Sequence, residues 1–376
     1  MNNFVKENME SVYSLLKELC LIPAPSHFED ERAAFCKAWF DKNCGEGAYI
    51  DEAKNVIYPF NVSDDKPLIV FCAHTDTVFP DTEPMPYVDD GEFISCPGVG
   101  DDTASLVVLM HVAKYFAENK IATKQGILFI ANSCEEGLGN LKGTREIFKN
   151  YADRINEFVS FDSAMNVIHD SVVGSTRYEV TAKTAGGHSY GKFGNKNAIA
   201  VLAEMIGKIY EIKVPQIENS KTTYNVGEIS GGTSVNTIAE NASMLCEYRS
   251  DNVNCIEIMK GYFEKIFEEA NTDEAKISVK IVGERPCASN ELDINAQKAL
   301  ADKCERIVEK HVSIPVIRNS ASTDCNIPMS LGVPGVAVGV YYGSGAHTRA
   351  ERVEKASLSD GLLLALDLTT ELTKGE

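Results

Sequence analysis

His74 and Asp76 lie two residues apart in the stretch VFCAHTDTV. On extended chain that spacing points both side chains the same way, so the carboxylate can orient the imidazole. A metal-bound histidine commonly has such a partner. Comparable segments recur: Asp101-Asp102 after Gly98 and Gly100, Glu135-Glu136 before Gly137 and Gly139, Asp162, and His347 within Gly343-Ser344-Gly345-Ala346-His347-Thr348. Each follows an apolar run, where a buried carboxylate or imidazole is costly unless a cation balances it. Two divalent ions sharing one carboxylate would do so. Each motif also has an ordinary explanation: a loop histidine beside a capping aspartate, a helix cap, an exposed acidic pair. A cap needs only one aspartate, however, and adjacent Glu135 and Glu136 diverge. One can then ligate an ion while the other serves as general base toward water, a division of labour suited to hydrolysis.

The elements that must position these groups read as α/β. Residues 67–73 (PLIVFCA), 126–131 (GILFIA) and 157–161 (EFVSF) are continuous apolar runs of the kind buried on both faces of a mostly parallel sheet. Residues 103–116 supply a helix between the first two. The candidate ligands fall at the carboxyl ends of such strands, where open α/β sheets bind their ligands. Ser26 with Glu29 reads as a capping box opening a second helix after the break Leu21-Ile22-Pro23-Ala24-Pro25. Near Ser175 the pattern turns to alternation, with Tyr178, Val180 and Ala182 on one face. A helix is then expected over 195–212, strands over 222–229 and 242–248, a helix over 253–269 and a strand over 276–282. That βαββαβ order is the ferredoxin-like split unit. Helices over 294–310 and 359–372 and the run 332–340 (GVPGVAVGV) return to the α/β style. The expected organisation is a discontinuous catalytic domain, residues 1–175 and 287–376, interrupted by a smaller domain over 176–286.

The chain has 376 residues, 44% of them hydrophobic, which is ample for two cores. With 36 basic against 55 acidic residues its net charge is −19, which repels nucleic acid and anionic membrane surfaces and points to small-molecule or peptide partners. The opening MNNFVKENMESVYSLLKELC lacks the plan of a secretion signal, and no run reaches the length of a membrane span. Eleven cysteines without a CxxC pair fit a reducing cytoplasm.

Taken together, these residues resemble the co-catalytic zinc peptidases of the M20 type, which include peptidase T, related di- and tripeptidases, carboxypeptidases and N-acyl-amino-acid deacylases. The resemblance runs through almost the whole chain. It implies a zinc-peptidase catalytic domain with an inserted lid and dimerisation domain, and a homodimer. It implies two divalent ions, zinc by preference with manganese or cobalt as alternatives. His74 and Asp162 would hold one ion, Glu136 and His347 the other, and Asp101 would bridge them. Glu135 would be the general base and Asp76 the orienting partner of His74. Gly100-Asp101-Asp102 matches the family's Gly-x-Asp-x-Lys-Gly stretch, but Thr103-Ala104 replace the Lys-Gly, so Asp102 competes with Asp101 for the bridge. Gly186-Gly187-His188-Ser189 resembles the lid motif whose histidine stabilises the oxyanion from the partner subunit. Asn236 and Arg249 match substrate-binding positions, the guanidinium suiting a substrate carboxylate. Asp324 and Asn326, in Ser322-Thr323-Asp324-Cys325-Asn326, resemble a substrate-side loop.

The expected reaction is amide hydrolysis of short peptides by an aminopeptidase or a di- or tripeptidase; a deacylase or carboxypeptidase would share all the metal ligands. An inactive metal-binding protein would have no use for Glu135, and a two-carboxylate glycosidase would leave His74 and His347 without a role. Neither GxxxxGK[ST] nor GxSxG occurs, which argues against nucleotide and serine-nucleophile chemistry.

Overall fold

The computed structural model describes residues 1–217 and 220–374. The chain divides into two compact units, Met1–Val172 with Ser289–Glu376, and Val173–Ala288.

The first unit is built on an eight-stranded sheet in the order Tyr49–Ile50, Val56–Phe60, Gly126–Asn132, Leu68–His74, Ile155–Phe161, Gly335–Val338, Val167–Val172, Ile317–Ala321. The four strands from Gly126–Asn132 to Gly335–Val338 run parallel. Every residue of Leu68–His74 and Gly126–Asn132 is buried, which is why these segments read as unbroken apolar runs. Helices Asn2–Cys20, Asp30–Cys44, Ser105–Asn119 and Ser357–Thr373 pack together against the sheet, their apolar side chains merging into one core. The strands after Leu68–His74 in the parallel set lie on opposite sides of it, Gly126–Asn132 on one and Ile155–Phe161 on the other. The connections therefore diverge at its carboxyl end and leave a crevice there.

A small antiparallel sheet, Val88–Asp89, Phe93–Ser95, Arg352–Glu354 and Gly343–Ser344, belongs to the same unit. His347 thus sits at the tip of a hairpin between Gly343–Ser344 and Arg352–Glu354, not directly after the parallel strand Gly335–Val338. Strands of two and three residues are too short to show a period, so this detour leaves no trace in the pattern. The capping box also needs correction. Helix Asp30–Cys44 has Glu29 as its N-cap with no side-chain cap bond. The Ser26 hydroxyl instead donates to Asp76 Oδ2 at 2.6 Å.

The second unit has the split βαββαβ order: strand Gly174–Thr184, helix Ala198–Tyr210, strands Thr222–Gly231 and Asn241–Ser250, helix Val253–Ala270 and strand Ala275–Arg285. Its sheet is antiparallel in the order Thr222–Gly231, Asn241–Ser250, Gly174–Thr184, Ala275–Arg285. Asn197 and Asn252 cap the two helices, each accepting from two amides of the first turn. Tyr178, Val180 and Ala182 share the buried face with Leu202, Met205, Met259 and Phe263. Among the described residues no helix is long and apolar enough to cross a membrane.

Candidate metal centre

The strand Leu68–His74 delivers His74 at its last position, and the following turn places Asp76 beneath it. His74 Nδ1 lies 3.0 Å from the Asp76 backbone carbonyl and 3.5 Å from the Asp76 carboxylate. The carbonyl is thus the closer orienting partner, whereas the sequence pointed to the carboxylate. That fully buried carboxylate is occupied elsewhere. Oδ1 accepts from the Glu135 amide at 2.9 Å, and Oδ2 accepts from the Glu136 amide at 2.9 Å and from Ser26. Asp76 therefore fixes the turn that carries both glutamates. Burial alone would raise its pKa, but bonds to His74, Ser26 and the Glu136 amide hold it below the usual carboxylate range.

Gly98 to Ala104 form a tight turn before helix Ser105–Asn119, and the two aspartates separate there. Asp101 directs Oδ1 at His74 Nε2 (3.0 Å) and Oδ2 at His347 Nε2 (2.9 Å). Asp102 points into the protein, where Oδ2 accepts the His74 amide at 2.9 Å. Of the two aspartates, Asp101 is the one whose oxygens each face a histidine. Glu136 Oε1 lies 3.0 Å from His347 Nε2. Two groups of three side chains bring a donor atom apiece within 4.8 Å of one another: His74, Glu135 and Glu136, and Asp101, Glu136 and His347. Among the described residues Asp162 belongs to neither group. Its amide is tied to the Val338 carbonyl at 3.1 Å, and burial with the nearby Asp101 charge pushes its carboxyl up to about 7.

Whether these groups fit metal ions follows from their hydrogens. The Asp76 carbonyl can only accept, so His74 Nδ1 carries a ring hydrogen, and Nε2 faces the Asp101 oxygen either with a second proton or, in the neutral ring, with its lone pair. A lone pair facing a carboxylate at 3.0 Å is repulsive, so this contact holds a cation, either a second ring proton or a metal ion in its place. The titration behaviour expresses the same deficit of positive charge. Burial would lower His74, yet the Asp102 charge and bonds to Asp101 and Asp76 drive it well above its ordinary value. Hydrogen bonds donated to Asp101 and Glu136 push His347 up to about 10. Asp101 is held far below the usual range by His347 and His74 in spite of its burial, and burial raises Asp102 strongly. A mixed imidazole and carboxylate donor set of this kind suits zinc, manganese or cobalt.

Two supporting residues escaped the sequence reading. Glu351, 2% exposed, accepts the amides of Gly98 (2.7 Å), Gly100 (2.9 Å) and Asp101 (2.8 Å). Burial pushes its carboxyl up to about 7 against the pull of those amides. Arg32 is fully buried and donates to the carbonyls of Leu19, Ile22 and Thr75, the last next to His74. In sequence both look like solvated surface charges.

The remaining expected residues are placed as follows. Asp324 and Asn326, expected to touch substrate, are fully buried. Asp324 accepts from Asn132 (2.7 Å) and from the Thr144 hydroxyl, and Asn326 accepts the Thr323 amide (2.8 Å), so they hold the loop together from inside and offer no surface to a ligand. In the second unit, exposed His188 and Asn236 are neighbours: Gly187–His188 pairs with Thr237–Ile238, and the Ser189 amide donates to the Asn236 carbonyl at 2.9 Å. Gly186 and Gly187 both have positive φ, which the turn into His188 requires. Arg249 has its guanidinium engaged by Glu247 at 2.8 and 3.1 Å.

A tripeptidase from Staphylococcus aureus has the same fold, with a TM-score of 0.77 at 22% identity over 97% of this chain and 98% of that one. So does Bacillus subtilis YXEP, described as a dinuclear metal-binding peptidase from the M20 family, with a TM-score of 0.68 at 14% identity over 98% and 99%. The uncharacterized protein YqjE of Bacillus subtilis is 25% identical over 311 residues, 80% of each chain. The model of peptidase family M20/M25/M40 matches residues 70–371, which contain every candidate ligand. The chain belongs to peptidase family M20/M25/M40.

Proposed function

We propose that the chain is a two-metal hydrolase that cleaves the amide bond of short peptides, as an aminopeptidase or a di- or tripeptidase, with Glu135 as general base. The observation that carries this reading is Asp101, whose two oxygens face two imidazole Nε2 atoms at 3.0 and 2.9 Å. Such a carboxylate, flanked by two further glutamates, is the donor arrangement of a shared binuclear site. In this reading His74 and Asp162 complete one site, Glu136 and His347 the other, and zinc is the native metal. When bound, the ions supply Lewis acidity toward water and toward the scissile carbonyl.

The protein's own groups do the rest. Asp76 holds the Glu135 and Glu136 amides, so the two carboxylates stay at fixed separation and only one is needed as a ligand. Glu135 takes a proton from the attacking water and returns it to the leaving amine. His188, from the second unit of a partner copy, donates to the oxyanion. Asn236 binds substrate, and Arg249 engages a substrate carboxylate in exchange for Glu247. The second unit then serves as lid and dimerisation domain of a homodimer. Its strand Thr222–Gly231 lies at the sheet edge and is largely exposed, which supports pairing with another copy. Eleven unpaired cysteines, nearly all buried, support a reducing cytoplasm.

Glu135→Gln tests the assignment. The variant should bind both ions and lose turnover by about 10²- to 10⁴-fold, the usual contribution of a general base. Near-normal rates in the metal-loaded variant would refute it. Di- and tripeptides assayed against N-acyl amino acids, with zinc, manganese and cobalt in turn, identify the substrate class.

A further inference from the structure

We infer that Glu351 is a positioning residue that locks Asp101 and His347 into one metal site, by presenting its carboxylate as an internal anion to the turn 98–101. The inference rests on the two-metal reading above and adds to it a residue that ligates nothing.

The turn 98–101 resembles an anion-binding nest, with the amides of Gly98, Gly100 and Asp101 converging on one carboxylate while that of Val99 turns to the Cys96 carbonyl. Glu351 fills it: Oε2 takes the Gly98 amide, and Oε1 takes those of Gly100 and Asp101. Its backbone carbonyl also accepts the Cys96 amide at 3.2 Å, so side chain and main chain grip the same segment. The fit leaves no room for another side chain. A Cβ at Gly100 would lie 2.8 Å from the Tyr341 hydroxyl, 2.9 Å from its ring and 3.0 Å from Glu351 Oε1, so this glycine is required by the close approach of Tyr341 and of the carboxylate together.

Two consequences meet at the metal centre. The Asp101 amide is fixed at 2.8 Å, which fixes the backbone from which its carboxylate reaches both histidines. Glu351 also stands four residues after His347 in the hairpin that presents it. His347 is the most exposed of the expected ligands, with 55% of its side-chain surface open, and its backbone is in the left-handed region. The hairpin therefore needs an anchor, and Glu351 ties it to the same turn that holds Asp101. Because both of its carboxylate oxygens are taken up by amides, Glu351 acts through these two residues.

The test compares Glu351→Ala, Glu351→Gln and Gly100→Ala with the wild type by titrating zinc or manganese into metal-free protein, alongside urea denaturation of the metal-free forms. The wild type should take up two ions. Glu351→Ala should bind the ion shared by Asp101 and His347 about 10- to 100-fold more weakly, the range for loss of a ligand's supporting partner. Its activity should return as metal is raised, with KM unchanged. Glu351→Gln keeps one oxygen for Gly100 and Asp101 and should recover part of the affinity. Gly100→Ala crowds Tyr341 and the same carboxylate and should also weaken the shared ion even if Glu351→Ala fails to fold. Two ions bound by the variants with wild-type affinity, whatever happens to their metal-free stability, would overturn the inference while leaving the two-metal reading intact. A wild type that binds no ion would overturn both.

Discussion

Replacing Asp76 by asparagine probes the joint between the first parallel strand and the glutamate turn. The carboxylate is completely buried and accepts three bonds, at 2.9 Å from the Glu135 amide, 2.9 Å from the Glu136 amide and 2.6 Å from Ser26. An asparagine has one oxygen and one NH₂ group, so in either orientation a backbone amide faces another donor. The loss comprises one charge-assisted bond, about 1.5–3 kcal/mol, and the weakening of the other two to neutral bonds at about 1 kcal/mol each. Relief of repulsion in the acidic cluster does not cancel this, because Asp76 is held below the usual carboxylate range despite burial. The expected cost is about 4 kcal/mol, close to a thousandfold in the folding equilibrium. Urea denaturation of the metal-free protein measures it. Ser26→Ala is the internal control, since it removes one charge-assisted bond and should cost about 1.5–3 kcal/mol, less than the asparagine. Turnover should fall in the asparagine variant, because the Glu135 backbone loses its anchor. A variant within about 1 kcal/mol of wild type, or an alanine at position 26 that costs as much, would refute the assignment of Asp76 as the anchor of this turn.

Other measurements address the buried histidine and the ions. Burial lowers the His111 pKa to about 4, with Nδ1 tied to the Val107 carbonyl and Nε2 3.1 Å from the Ser11 hydroxyl. The folded chain then binds fewer protons here than the unfolded chain, whose histidine titrates near 6.5, so the stability is present above that pH and is lost as pH falls toward 4. The full loss is roughly 3 kcal/mol at 1.36 kcal/mol per pH unit. The pH dependence of unfolding in metal-free His111→Leu should be flatter than wild type by that amount, and equal slopes would count against it. Chelation should abolish activity and lower the melting temperature of the first unit. Zinc at a thousand times its dissociation constant contributes about 4 kcal/mol per ion, on the order of 10 °C for a unit of this size. A melting temperature indifferent to chelator would exclude the metal reading.

What was legible in the sequence is what leaves a periodic trace. Leu68–His74, Gly126–Asn132 and Ile155–Phe161 are apolar along their whole length or nearly so, and a histidine or carboxylate where such a run ends breaks the pattern visibly. The split βαββαβ order was legible for the same reason, since Tyr178, Val180 and Ala182 alternate with exposed or half-exposed positions in their strand. The parts that were missed are polar and join distant segments. Ser26 and Glu29 have the spacing of a capping box, yet Ser26 bonds to a carboxylate 50 positions away and Glu29 accepts the His27 amide and the Cys134 thiol. Local propensity favoured the cap; tertiary burial of Asp76 prevailed because an unmet buried carboxylate costs more than an uncapped helix end.

Glu351 shows the same competition in its sharpest form. Between Arg349 and Arg352 in Arg349-Ala350-Glu351-Arg352 it reads as one charge in a solvated surface run. Both arginines do stay at the surface, Arg349 paired with Asp81 and Arg352 over the Phe93 ring. Only the glutamate turns inward, because the turn 98–101 offers it three amides that would otherwise be buried without acceptors. The sequence did carry the complementary half of that contact, in the glycines at 98 and 100. Gly100 leaves space for the Tyr341 ring and for the Glu351 carboxylate, the latter 251 residues further on. A glycine required by close approach cannot be told from one required by backbone conformation until the approaching group is known, and that limit separates the candidate ligands, which break apolar runs, from Glu351, which breaks none.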